Sequence, residues 1–128
     1  MTTIKSDGEH TKIYNDIGEQ AFASNVVNGN GLNPKELLEA SLALCHVLVT
    51  KKLLTRDGIA YDAADISATV EATKDPDGKN HFSDFNVTLT LPKHLEADYI
   101  QKLLVSVERA CTIGNTLQAN ARIHVTQK

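Results

Sequence analysis

Asn33-Pro34-Lys35-Glu36-Leu37-Leu38-Glu39-Ala40-Ser41-Leu42-Ala43-Leu44-Cys45 is the stretch whose reading decides the fold. Asn33 can cap a helix with its side chain. Pro34 suits the first helical position, where no N–H is needed. Glu36, three residues on, can reach back to the Asn33 N–H. Apolar or small residues then recur at Leu37, Leu38, Ser41, Leu42, Cys45, Leu48 and Val49, which draws one stripe on a helix. Gly58, just after Arg56 and Asp57, supplies the stop. At ~1.5 Å per residue the helix runs about 35 Å, enough to cross a small domain. Cys45 falls near its middle on the apolar face. His46, ~100° further round, reads as a surface or interface residue.

Downstream of this helix, residues 65–73 alternate Ile66, Ala68, Val70 and Ala72, and residues 82–91 alternate Phe85, Val87, Leu89 and Leu91. Asp75-Pro76-Asp77-Gly78 between them is turn chemistry, so an antiparallel hairpin with one wet face is expected. A second amphipathic helix is expected over 94–110, with Leu95, Tyr99, Ile100, Leu103, Leu104 and Val107 as its stripe. A short third helix is expected over 112–120 and a closing strand over 122–126, where Ile123 and Val125 share a face. Upstream, Lys12-Ile13-Tyr14 and Gln20-Ala21-Phe22-Ala23 suggest two short strands joined by a turn at Asp16-Ile17-Gly18, and Asn28-Gly29-Asn30-Gly31 reads as a loop. The pattern is α+β: a single domain over 1–128, with a short N-terminal strand region (1–32) and a helix–hairpin–helix–strand body (33–128).

At 128 residues and 41% hydrophobic, the chain is long enough for one core and too apolar for a disordered segment. Its formal charge of -3, with lysine and arginine scattered, gives no footprint for nucleic acid. The longest apolar stretch, around 40–49, is too short to span a membrane. Residues 1–8 have no apolar signal core, so a cytoplasmic address is the expectation.

In a reducing compartment the two cysteines, Cys45 and Cys111, are not expected to form a stable structural disulfide. Two readings stand: small buried hydrophobes, or a reactive pair. Burial among leucines and alanines should leave Cys45 poorly ionised. Cys111 lies where a helix starts, and backbone N–H groups there would favour its thiolate; Arg109 could add positive charge. No zinc spacing, phosphate-binding glycine loop or Ser-His-Asp order is recognisable, so neither metal nor cofactor is expected.

The stretch from Asn33 to Cys45 resembles the central-helix signature of the OsmC/Ohr proteins (osmotically inducible protein C-like, organic hydroperoxide resistance-like). Cys111-Thr112-Ile113-Gly114-Asn115-Thr116-Leu117 is similar to the segment around that family's second cysteine. The resemblance implies an intertwined homodimer, with antiparallel sheets wrapped around long central helices and active sites at the subunit interface. It implies a thiol peroxidase of oxidative-stress defence that reduces small organic hydroperoxides. Cys45 would attack and form a sulfenic acid, Cys111 would close a disulfide with it, and a dithiol reductant would recycle the pair. Family peroxidases hold the attacking thiolate with an N-terminal arginine, whereas this chain has none before Arg56; Lys5 and Lys12 are the cations in that region. The family's supporting glutamate usually follows the proline; here Lys35 stands there and Glu36 comes one residue later. A non-catalytic dimer that binds a small apolar ligand or partner, and a thiol redox sensor, are the alternatives.

Overall fold

The computed structural model describes residues 1–6, 11–24 and 31–128. The chain divides into two compact units, residues 1–40 and 41–128, with the boundary inside the long helix.

The first unit carries a three-stranded antiparallel sheet, β1 (Thr3–Ser6), β2 (Thr11–Tyr14) and β3 (Gln20–Ala23), in the order β1-β2-β3. The two expected strands are present. β1 was not expected, because Ile4 is its only large apolar residue; pairing with β2 makes it a strand. The β2–β3 turn is organised by Asn15, whose Oδ1 accepts the N–H groups of Ile17 and Glu19, and Gly18 takes the left-handed conformation at φ +86°. Of the loop expected at 28–31, only Gly31 lies among the described residues. A Cβ there would come within 2.8 Å of the Phe22 and Ala23 backbone. Leu32 follows it in a parallel bridge to Ala23.

Helix α1 (Pro34–Arg56) starts as its sequence dictates. Asn33 Oδ1 accepts the Glu36 N–H at 2.8 Å and Glu36 Oε1 accepts the Asn33 N–H at 3.1 Å, a closed capping box. It stops at Gly58, φ +69°. The Gly58 N–H bonds the Thr55 carbonyl and the Ile59 N–H bonds the Leu54 carbonyl, the paired Schellman bonds. Ile59 packs on the core that contains Leu54.

In the second unit, β4 (Ser67–Lys74) and β5 (Phe82–Thr90) form the expected antiparallel hairpin, with Val70 opposite Val87 and Ala72 opposite Phe85. Asp75 Oδ1 accepts the Asp77 N–H, and Gly78 (φ +80°) returns its N–H to the Asp75 carbonyl. Helix α2 (Ala97–Ala110) begins three residues later than expected. Buried Pro92 holds a turn in which Leu95 N–H bonds its carbonyl, and the helix starts only beyond it. Helix α3 (Thr112–Gln118) follows after one residue.

Leu53, Leu54, Ile66, Leu103 and Val107 form one core, and Leu42, Val70 and Cys111 a second, with Phe85, Val87 and Ile113 packed against it. Full burial of such aliphatic side chains contributes about 1.5–3 kcal/mol each. The buried residues of α1 are Leu42, Thr50, Leu53 and Leu54. Leu48, expected on the buried stripe, is 54% exposed, as is neighbouring Leu44 at 58%. The closing strand expected at 122–126 is not formed. Ile123 and Val125 are exposed, and no strand edge pairs with them among the described residues. A strand exists only by its ladder, so alternation without an edge to pair with leaves extended chain. The architecture is thus α+β, with antiparallel sheets and three helices. Among the described residues no helix is long and apolar enough to cross a membrane.

Candidate functional site

Cys111 is the hinge between two helices. Its extended backbone (φ −78°, ψ 105°) ends α2 and caps α3. Its Sγ accepts the Gly114 N–H at 3.3 Å, and its carbonyl accepts the Asn115 N–H at 2.9 Å. Asn115 Nδ2 donates to the Arg109 carbonyl at 3.0 Å and ties the two helices at the break. The sulfur is fully buried against Leu42 and Val70.

Cys45, half-buried on α1, packs against that same cluster. Two residues 66 positions apart in sequence (111 − 45) thus meet side chain to side chain. Burial pushes the Cys45 thiol up. The hydrogen bonds it accepts from the Cys111 thiol and from the backbone N–H groups of Ile113 and Thr112 outweigh burial, and it settles below its ordinary value. Cys111 is driven the other way: burial and the hydrogen bond it gives to Cys45 raise it, and the Gly114 N–H offsets only part of this. The pair is therefore polarised, with Cys45 the more readily ionised thiol and Cys111 the donor. This reverses the expectation from local sequence, in which Cys111 was favoured as thiolate and Cys45 left unionised. The N–H groups at the start of α3 are indeed available to a sulfur, but two of them serve the cysteine of another helix.

His46 was expected at the surface or an interface. Instead its Nδ1 lies 3.6 Å from Cys111 Sγ and 2.9 Å from the Leu42 carbonyl oxygen. The signal was in the sequence. His46 is four residues from both Leu42 and Thr50, and both are buried. Thr50 is polar and does not count toward an apolar stripe, but it is fully buried because its hydroxyl donates to the His46 carbonyl at 2.7 Å. The inward face of α1 therefore includes position 46.

The Glu36 carboxylate is engaged in the α1 cap. Lys35 pairs with Glu39 at 3.3 Å. Lys5 and Lys12 are register partners on β1 and β2. The Arg109 side chain is exposed and lines a concavity with Arg56, Asp57, Tyr99 and Lys102; its contribution near the thiols is its backbone carbonyl. At that concavity Tyr99 donates to Asp57 at 2.7 Å. Burial and this bond push its phenol up to about 12.

A cavity of about 860 Å³ opens beside Cys111. Leu42, Phe85, Val87, Leu104 and Leu117 give it apolar walls, and His46 and Cys111 lie on its lining. Among the described residues no group of three or more His, Cys, Asp or Glu could hold a metal ion. Two thiols in contact, one lowered and one raised, are equipped for two-electron dithiol chemistry.

The family model for OsmC-like proteins matches residues 27–126. Among solved structures, an OsmC-like protein from Mycoplasma pneumoniae is similar with a TM-score of 0.80 at 17% identity, covering 92% of this chain and 86% of that one. The organic hydroperoxide resistance protein OhrB of Bacillus subtilis is similar at 0.63 and 22% identity, covering 94% and 90%. An organic hydroperoxide resistance protein OsmC from Legionella pneumophila is similar at 0.65 and 17% identity, covering 94% and 89%. A comparison with curated proteins finds no match.

Proposed function

On the premise that this chain belongs to the OsmC-like family, we propose that it is a cysteine-based peroxidase for organic hydroperoxides. The observation that carries this reading is the polarised thiol pair, with the Cys45 thiol lowered by Cys111 and by the Ile113 and Thr112 N–H groups. Cys45 attacks the distal oxygen of the hydroperoxide. The O–O bond breaks, an alcohol leaves, and Cys45 becomes a sulfenic acid. Cys111 then displaces its hydroxyl as water and closes the Cys45–Cys111 disulfide. A dithiol reductant restores both thiols by two exchange steps. Backbone donors thus do here what a nearby cation would do for a thiolate elsewhere. The apolar part of the cavity wall, with Leu42, Phe85, Val87, Leu104 and Leu117, supports an alkyl or aryl hydroperoxide over hydrogen peroxide.

A homodimer fits the same reading. Leu44 and Leu48 leave an apolar strip on α1, and Ile123 and Val125 leave a strand-like segment with exposed side chains. Sedimentation at micromolar concentration is expected to give twice the chain mass. For the chemistry, stopped-flow measurement of thiol loss is the test. Cumene hydroperoxide should consume two thiols per peroxide at least ~100-fold faster than free cysteine does, and faster than hydrogen peroxide does. Thiol loss no faster than that of free cysteine would sink the peroxidase reading.

A further inference from the structure

The scheme above leaves unused an imidazole that touches one of its two sulfurs. His46 Nδ1 lies 2.9 Å from the Leu42 carbonyl oxygen. A carbonyl oxygen only accepts, so Nδ1 carries a hydrogen in either charge state of the ring. That N–H also faces Cys111 Sγ, 3.6 Å away, where the Gly114 N–H already donates at 3.3 Å. Two donors therefore converge on a sulfur that burial and Cys45 keep protonated in the resting pair. They matter little while Cys111 is itself the donor to Cys45. They matter once Cys45 is a sulfenic acid, because Cys111 must then give up its proton to attack, and the thiolate's negative charge forms where both donors point.

We propose that His46 activates the resolving cysteine: its Nδ1–H stabilises the charge that forms on Cys111 Sγ as that thiol gives up its proton to attack the Cys45 sulfenic acid. The reaction rests on the peroxidase reading, whereas the donor contact stands by itself. In the step the Cys111 S–H and Cys45 S–O bonds break and the S–S bond forms. The Cys111 proton leaves with the hydroxyl as water, and no outside oxidant or reductant is consumed. His46 keeps its Nδ1 proton throughout. Asp84 of β5 and Glu108 of α2 are the carboxylates that share the cavity lining with it.

The test compares donor-less variants, His46→Leu and the smaller His46→Ala, with His46→Asn, whose amide can donate over a similar reach. After one equivalent of cumene hydroperoxide, Cys45 oxidation and disulfide closure are followed as separate steps in each variant, so that closure is read from the sulfenic acid onward. Disulfide closure, followed by mass spectrometry with dimedone trapping of the sulfenic acid, should slow on the order of tenfold in the donor-less variants. It should stay within about threefold of wild type in His46→Asn. Unchanged closure in the donor-less variants overturns the proposal. If peroxide leaves Cys45 unoxidised, the peroxidase reading falls and the contact is decided in a Cys45→Ser background by thiolate absorbance. There the Cys111 titration midpoint should rise by about one pH unit on His46→Leu or His46→Ala and return with His46→Asn. A midpoint that does not move overturns it.

Discussion

Cys45 and Cys111 are the same residue type, touch each other and share one apolar cluster, yet their surroundings push them in opposite directions. Cys45 sits in the interior of α1, where the backbone N–H groups are spent on the helix's own bonds. Its donors come from the start of α3 and from its partner thiol. Cys111 sits on the open end of α3, where the Gly114 and Ile113 N–H groups reach it, but burial and the proton it gives to Cys45 outweigh them. The lesson is that a thiol's ionisation follows the donors that reach its sulfur through the tertiary fold, whichever element bears the residue.

The largest test of this contrast is to remove each sulfur in turn. Cys45→Ser should abolish peroxide turnover, a loss of 100-fold or more, since the nucleophile is gone. Cys111→Ser should still oxidise once and stall at the sulfenic acid, which a dimedone adduct on Cys45 would reveal. An equal loss of the first oxidation in both would break the assigned asymmetry.

A smaller effect is the pH order of labelling. Iodoacetamide should modify Cys45 at least ~10-fold faster than Cys111 at neutral pH, with Cys45 labelling falling as pH drops through its lowered value. The linked stability follows the same signs. The Cys45 contribution is present above the unfolded-state thiol value and lost as pH falls through its folded value. The Cys111 contribution is present below the unfolded-state value and lost as pH rises through its raised one. Urea denaturation of the reduced protein across pH 6 to 10 reads both limbs. Labelling of both thiols at equal rates would remove the contrast.

The smallest effect comes from loosening α1 at its start. Asn33→Ala removes the cap and should cost about 1 kcal/mol in chemical denaturation. The order in which the two thiols are labelled should not change, because the donors to Cys45 belong to α3. An inverted order would mean that the α1 cap sets the thiols' environment.

What could be read from sequence was what local chemistry decides. The capping box at Asn33 and Glu36, the Gly58 stop and the Asp75–Gly78 turn each depend on residues a few positions apart, and each is present. The second cysteine's place at a helix start was legible for the same reason. What could not be read depends on partners distant in sequence. The N–H groups of Thr112 and Ile113 reach Cys45 only after α1 and α3 have packed, so the direction of ionisation was inverted. Residues 122–126 have the alternation of a strand, but alternation does not supply an edge. His46 was missed for a more instructive reason: buried Thr50 is polar, and the stripe of apolar and small residues was therefore drawn without it.

The long sequence separation of the two cysteines has a thermodynamic side. A bond between them would close a loop of about 65 residues, and chain entropy alone would withhold about 4 kcal/mol from the unfolded state of the oxidised chain. On the peroxidase reading, each cycle would then move the protein between a tougher and a softer form. The oxidised form would be the heat-resistant one, and a melting curve would serve as a gauge of how much of the pool awaits reduction.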